Sequence, residues 1–251
     1  MYPILEFDPN PDAILNPSAG KLSEAVPLRA VACFFLDVLE PLAASGELVK
    51  IGEVVSEFGA NPLYRLTAGG EAILIFHPGV GAPLAVGFME EVIALGVQKI
   101  SACGGCGVLH PEIAAGHPVI LTGAVRDEGT SYHYLPPSRE VQADPRGVAA
   151  LETACKEAKI EYRLGKSWTT DAFYRETPDK RELRLAEGCE VVEMEASAFF
   201  ALAQFRKVLF AQIVYGGDLV VPEGWDSRGW NHRQDDRRLL FDLAVSAVLK
   251  L

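Results

Sequence analysis

Three acids in this chain have a chemical use on their face: Glu193 and Glu195, on either side of Met194, and Asp218, which follows Tyr215-Gly216-Gly217. A carboxylate accepts two hydrogen bonds side by side, so one acid at a strand end can hold a vicinal diol such as the 2′- and 3′-hydroxyls of ribose. An acid next to two glycines can exchange a proton with a leaving group, because glycine lets backbone approach a ligand closely. The plain alternatives are solvated charges at a sheet edge and an Asp closing a local turn. Two further stretches could complete a site. Lys99 to Gly107, with Ser101, Cys103 and Gly104, offers backbone N–H groups in a glycine turn that could cradle an anion. Phe173-Tyr174 could give a flat surface to a planar ligand, although aromatics in such places more often belong to the core.

The elements that must position these residues follow from apolar periodicity and turn signals. Around residues 190–218 the pattern reads strand, helix, strand, the unit that builds a parallel sheet, with Glu193 and Glu195 on one side of the first strand. Glu195 then ends the first strand and Asp218 falls just past the second, at the crevice where such sheets bind ligands. A second unit runs from a strand at 72–76 through a helix at 82–95 to a strand at 97–103 that stops at Gly104-Gly105. Pro83 suits the first turn of that helix and Gly96 its end. Residues 28–44 read as one largely buried helix, 48–55 and 63–67 as strands, 119–125 as a buried strand, and 126–139 as a polar loop. Asp144-Pro145 opens a helix to about 158, 160–169 is a strand, Thr177-Pro178 caps a polar helix to about 187, and a closing helix spans 236–249. Residues 220–235, rich in Trp and Gly, read as an ordered loop. The expectation is α/β: a single domain over 1–251, with a central mixed, largely parallel twisted sheet flanked by helices, after an irregular, proline-rich lead-in over 1–27.

Composition narrows the functional classes. The 251 residues suffice for a core without disulfide or metal support, and 49% hydrophobic with 23% charged residues is ordinary for a globular protein. A formal net charge of −11 argues against general affinity for nucleic acid or anionic lipid. With no basic leader and no apolar run of membrane-spanning length, a cytoplasmic protein without membrane attachment is expected. Five cysteines include Cys103-Gly104-Gly105-Cys106, readable as a redox pair or half a zinc site. With Cys33, Cys155 and Cys189 isolated and the histidines lacking ligand spacing, small residues in a tight turn are the preferred reading and no metal is assigned.

Taken together, the motifs resemble the nucleoside phosphorylase family that includes uridine phosphorylase, the hexameric purine nucleoside phosphorylases and the related methylthioadenosine nucleosidases. Val192-Glu-Met-Glu-Ala196 matches the family's ribose-binding motif. Thr170-Asp-Ala-Phe-Tyr174 is similar to the segment whose aromatic stacks on the base, Gly79-Val-Gly-Ala-Pro83 to the turn before the family's helix, and 125–133 to the uridine phosphorylase branch. The resemblance implies a phosphorylase-like α/β fold in which Glu195 grips the ribose hydroxyls, with Met194 and Glu193 beside it. It makes Phe173, with Tyr174, the base platform and Asp218 the acid serving a leaving purine.

It also implies phosphate as co-substrate with no other cofactor, and Lys99, Ser101, Cys103, Gly104 and Arg65 as its contacts. The family's N-terminal Pro-Gly-Asp-Pro phosphate loop has no counterpart beyond Asn16-Pro17-Ser18, and its phosphate arginine is read as Lys99. The expected partners are a small nucleoside and phosphate, within a homo-oligomer: a dimer, trimer or hexamer. The activity implied is phosphorolysis of a uridine or purine nucleoside to free base and ribose 1-phosphate. A phosphate-independent nucleosidase and a non-catalytic nucleoside-binding protein are the rivals.

Overall fold

The computed structural model describes residues 2–17, 22 and 24–251. Ser18, which closes the Asn16-Pro17-Ser18 remnant, lies outside the described residues. The described part of the lead-in holds one short 3₁₀ turn, Pro3–Leu5, and otherwise no regular structure.

The chain enters the sheet as β1 (Arg29–Cys33), with four of its five residues buried. The single helix expected over 28–44 is therefore divided into β1 and α1 (Leu36–Ser45). A short apolar run carries no periodicity that separates helix from buried strand, and Ala30–Cys33 lies between two parallel neighbours that decide the matter. Gly46, at φ +83°, ends α1 in the left-handed conformation. β2 (Val49–Ser56) and β3 (Gly59–Ala68) form a hairpin, and β4 (Glu71–Phe76) pairs antiparallel with β3. α2 (Ala82–Ala94) has proline in its first turn, as expected, and leads to β5 (Lys99–Val108).

β6 (Pro118–Asp127), β7 (Glu140–Gln142), α3 (Pro145–Ala158), β8 (Arg163–Thr170) and α4 (Pro178–Ala186) follow. The chain closes with β9 (Cys189–Glu193), α5 (Ala196–Arg206), β10 (Leu209–Val221), β11 (Gly224–Asp226) and α6 (Gln234–Val248). Asp144 and Thr177 accept the backbone N–H groups of Arg146 and Lys180, so both N-caps read from the sequence are formed.

The strands make one mixed sheet in the order β11-β10-β6-β8-β9-β5-β1-β4-β3-β2, with β7 beside β6 and β10 also paired to β5. That last pairing closes β5, β10, β6, β8 and β9 into a ring. β4, β1, β5 and β10 run in one direction, while β6, β8 and β9 form a second parallel set that meets the first antiparallel. The unit β9-α5-β10 is thus not the parallel crossover that its strand-helix-strand pattern predicts. Both strands border β5, on opposite edges and in opposite directions.

α2 and α5 cover one apolar face of the sheet, and α1, α3 and α6 cover the other. One edge of β5 belongs to β10. Its other edge is divided, Lys99–Cys103 pairing with β1 and Gly107-Val108 with β9, which leaves a gap opposite Gly104–Cys106.

Candidate active site

The gap in the sheet is bordered by Glu193 and Glu195, with Asp218 across β5 from it. β9 runs antiparallel to β5 with Val192 opposite Gly107, so Glu193 comes level with Cys106. On the other edge of β5, β10 pairs Gly216 with Cys106 and Leu219 with Val108, and an irregularity between them carries Gly217 and Asp218. Glu193 and Asp218 therefore flank the same two residues of β5 from opposite edges. Burial of the Cys106 thiol raises its pKa, and the charges of Asp218 and Glu193 add to that push.

Glu193 and Glu195 do not share one side of a strand. β9 ends at Glu193, and Glu195, at φ −137° and ψ −28°, is the residue before α5. The Glu193 carboxylate is enclosed: one oxygen accepts Ser167 Oγ at 2.8 Å and Thr169 Oγ1 at 2.6 Å, the other the backbone N–H groups of Glu195 at 2.7 Å and Ala196 at 2.6 Å. It thereby caps α5, whose first N–H groups lack partners within the helix and favour a negative charge. Burial raises its pKa and these four donors oppose the rise.

Glu195 is 6% exposed and reaches the opposite side of the gap. Its Oε1 accepts the backbone N–H of Gly81 at 2.6 Å, a donor left free at the start of α2. Gly81 lies at φ +89° and Gly79 at φ +80°, so this turn needs glycine at both positions. His77 anchors it: Nδ1 accepts the Gly79 N–H at 3.0 Å and Nε2 lies 3.2 Å from the Phe34 carbonyl. Burial lowers the His77 pKa, in keeping with a neutral ring that accepts at Nδ1 and donates from Nε2. Burial, then the charge of Glu193, pushes the Glu195 carboxyl up to about 8, against the Gly81 N–H. The Met194 N–H also opposes the rise, and Asp171 adds to it.

Phe173 and Tyr174 stand beyond β8 on a 3₁₀ turn, with ring centroids 4.2 Å apart and exposures of 50% and 89%. They are not core aromatics, and a flat ligand can lie on them. Asp171, in the same loop, accepts the Gly129 N–H at 2.8 Å. Asp218 Oδ2 accepts the Trp225 indole N–H at 2.7 Å and lies 3.4 Å from where a Cβ on Gly107 would sit. A side chain at 107 would crowd both Val192 and Asp218. Met194 is half-buried between the two acids.

The phosphate contacts expected from the sequence are not drawn together. β5 runs on through Gly104 and Gly105 to Val108, so the glycine turn expected after Cys103 is strand. Gly104 is glycine because a Cβ would meet the Phe34 ring at 3.1 Å. Lys99 opens β5, seven residues before Cys106 and about 23 Å along the strand. Ser101 is fully buried with its Oγ unpartnered, and Cys103 is fully buried. Arg65, on β3, is held by Glu24 at 2.6 Å and Thr67 at 3.1 Å.

Three places apart on a strand, Cys103 and Cys106 lie in the cores on opposite faces of the sheet, which removes the redox-pair and zinc readings. All five cysteines are free and buried. Among the described residues no group of three or more His, Cys, Asp or Glu could hold a metal, and no helix is long and apolar enough to cross a membrane.

Several supporting residues escape a sequence reading. Ser197 Oγ donates to Glu128 Oε1 at 2.9 Å, and the Ser197 N–H donates to Thr169 Oγ1 at 3.0 Å. Glu128 Oε2 accepts the Ser131 N–H at 2.9 Å, tying the polar loop after β6 to the start of α5. The alternation Ser167, Thr169 on a strand is the one local signal that could have marked hydroxyls for a neighbouring acid.

A strand-end site with a ring platform and two inward-turned acids defines a class, and comparison with known proteins gives it a family. The family model described as Phosphorylase superfamily matches residues 29–241, and the chain belongs to that family. A guanosine phosphorylase of Halorubrum lacusprofundi is 30% identical over 165 residues, 66% of this chain and 68% of the relative. A uridine phosphorylase of Treponema pallidum is 32% identical over 147 residues, 54% of this chain and 57% of the relative, so the match spans little more than half of that protein. Among solved structures, purine nucleoside phosphorylase from Toxoplasma gondii in complex with immucillin-H superposes with a TM-score of 0.76 at 24% identity, covering 91% of this chain and 93% of the other.

Proposed function

We propose that this chain is a nucleoside phosphorylase: it cleaves the N-glycosidic bond of a nucleoside with phosphate, giving free base and pentose 1-phosphate. The observation that carries the reading is the Glu195 carboxylate, buried at the gap with Oε1 accepting the Gly81 N–H. In this reading Glu195 accepts the ribose hydroxyls, Met194 packs against the sugar, and the base lies on Phe173 and Tyr174. Phosphate oxygen bonds to the anomeric carbon as the carbon–nitrogen bond breaks and its electron pair passes to the base. Asp218 donates a proton, replenished from solvent, to a leaving purine. The guanosine phosphorylase and uridine phosphorylase among the relatives support this class of substrate.

One observation favours a second reading. Lys99 starts β5 far from the gap, so water as acceptor, giving free pentose, asks less of the residues this chain brings there.

The test is a product assay over uridine, thymidine, inosine, adenosine, guanosine and methylthioadenosine, with and without phosphate. Cleavage that requires phosphate and yields pentose 1-phosphate is the expected result. Equal rates without phosphate would replace phosphorolysis by hydrolysis, and tight binding without turnover would replace both by a non-catalytic role.

A further inference from the structure

Beyond the residues treated so far, Glu176 stands out by its place and its lack of partners. It follows the aromatic platform directly: its N–H donates to the Phe173 carbonyl at 3.3 Å, closing the turn that presents both rings. On its other side the chain is fixed. Thr177 caps α4, and Arg181 of α4 donates from Nε to the Val220 carbonyl at 2.7 Å and from Nη2 to the Leu109 carbonyl. These bonds pin the segment to β10 two residues beyond Asp218, on the rim where the base would lie. The Glu176 side chain is half-buried, and among the described residues its carboxylate has no hydrogen bond or ion pair. What acts on it is burial and then the Asp218 charge, which together push it up to about 7. A half-buried carboxylate without a donor, close enough to Asp218 to feel its charge, is a cost to the empty protein unless a ligand brings donors to it.

We infer that Glu176 selects the base at this site, its carboxylate accepting the two adjacent N–H donors of guanine, which makes guanine nucleosides the preferred substrates. This rests on the nucleoside-cleaving reading above and adds the base class to it. An ionised carboxylate is acceptor only, with two oxygens side by side, and its best complement is two parallel N–H groups. Among the common bases only guanine offers such a pair, N1–H with the 2-amino group. Hypoxanthine has N1–H alone, adenine and cytosine set an amino group beside a ring acceptor, and uracil flanks its single N–H with carbonyls whose lone pairs would face the carboxylate. The guanine pair also lies on the six-membered ring, across the base from N7. Glu176 and Asp218 can therefore hold opposite sides of one purine resting on Phe173.

Guanosine and inosine differ only by the 2-amino group, so their kcat/KM ratio reads this contact. With phosphate present the wild-type protein should favour guanosine by about tenfold or more, and Glu176→Leu should bring the ratio to within about threefold of one. Titration calorimetry with guanine and hypoxanthine should show the same preference without requiring turnover. If Glu176→Leu does not fold, the isosteric Glu176→Gln and the wild-type ratio still decide. A wild-type ratio near one, or a guanosine preference that survives both substitutions, overturns the assignment of Glu176 while leaving nucleoside cleavage standing. No cleavage of any nucleoside in the panel overturns the reading on which it rests.

Discussion

The Glu195 backbone N–H lies 2.7 Å from a carboxylate oxygen of Glu193, so of two acids only two residues apart one is an internal acceptor that fixes the other. The same Glu193 oxygen takes the Ala196 N–H, which makes the start of α5 and the direction of Glu195 a single construction.

Replacing Glu193 by Ala leaves the hydroxyls of Ser167 and Thr169 and two helix N–H groups without their acceptor. Each orphaned buried group costs about 1–3 kcal/mol, and even with relaxation the total should reach about 3 kcal/mol. Thermal unfolding should show a Tm lower by roughly 6–12 °C for a chain of this size. A shift below about 2 °C would mean that α5 does not depend on this cap.

Glu195→Ala removes the group proposed to hold the sugar and spares the cap. Activity should fall by about a hundredfold or more in kcat/KM while the circular dichroism spectrum is unchanged. Wild-type kcat/KM in this variant would take the diol contact away from Glu195.

Stability should fall with rising pH across the neutral range. Burial and Glu193 hold the folded Glu195 carboxyl at about 8, against 4.5 as its ordinary value, and Glu176 is held at about 7 in the same direction. Between those values the folded state binds protons that the unfolded chain has released. The stabilisation is therefore full below pH 4.5 and is lost as pH climbs toward 8. Tm of the wild-type protein minus that of Glu195→Gln, followed from pH 5 to 8.5, should decline. A flat difference would place Glu195 ionised throughout.

Asp218→Asn should slow purine nucleoside cleavage by about a hundredfold or more and uridine cleavage far less, since only a purine carries a second imidazole nitrogen, N7, conjugated with the leaving N9, that this acid can protonate. Trp225→Phe, which removes the indole donor 2.7 Å from Asp218, should move the purine rate in the same direction by a smaller factor. Equal losses on both substrates in Asp218→Asn would make the residue a structural one.

Double replacement of Cys103 and Cys106 by Ser should leave kcat/KM within about threefold and insensitive to reductant, because the two thiols lie in separate cores. The cost should fall on stability instead, by about 1–3 kcal/mol, since Cys103 is fully buried and a hydroxyl there lacks an assured partner. Loss of activity in a folded double variant would return these cysteines to the chemistry.

Local pattern in the chain was enough for much of this. Pro83, Asp144-Pro145 and Thr177-Pro178 mark helix starts through effects confined to a few residues, and the Glu-Met-Glu and Thr-Asp-Ala-Phe-Tyr strings carry the resemblance by residue type alone. Strand direction was not legible, because β9-α5-β10 has the same local pattern whether its strands run together or opposed. That was decided by β5, whose two edges take β9 and β10 in opposite senses. Whether 29–33 is helix or strand was likewise settled by its neighbours β4 and β5, and Gly104-Gly105 became strand because the β10 ladder continues past them. The jobs of Glu193 and Glu195 came apart only in three dimensions. A carboxylate's role depends on which donors reach it, and Ser167, Thr169 and Gly81 reach these two from 26, 24 and 114 residues away.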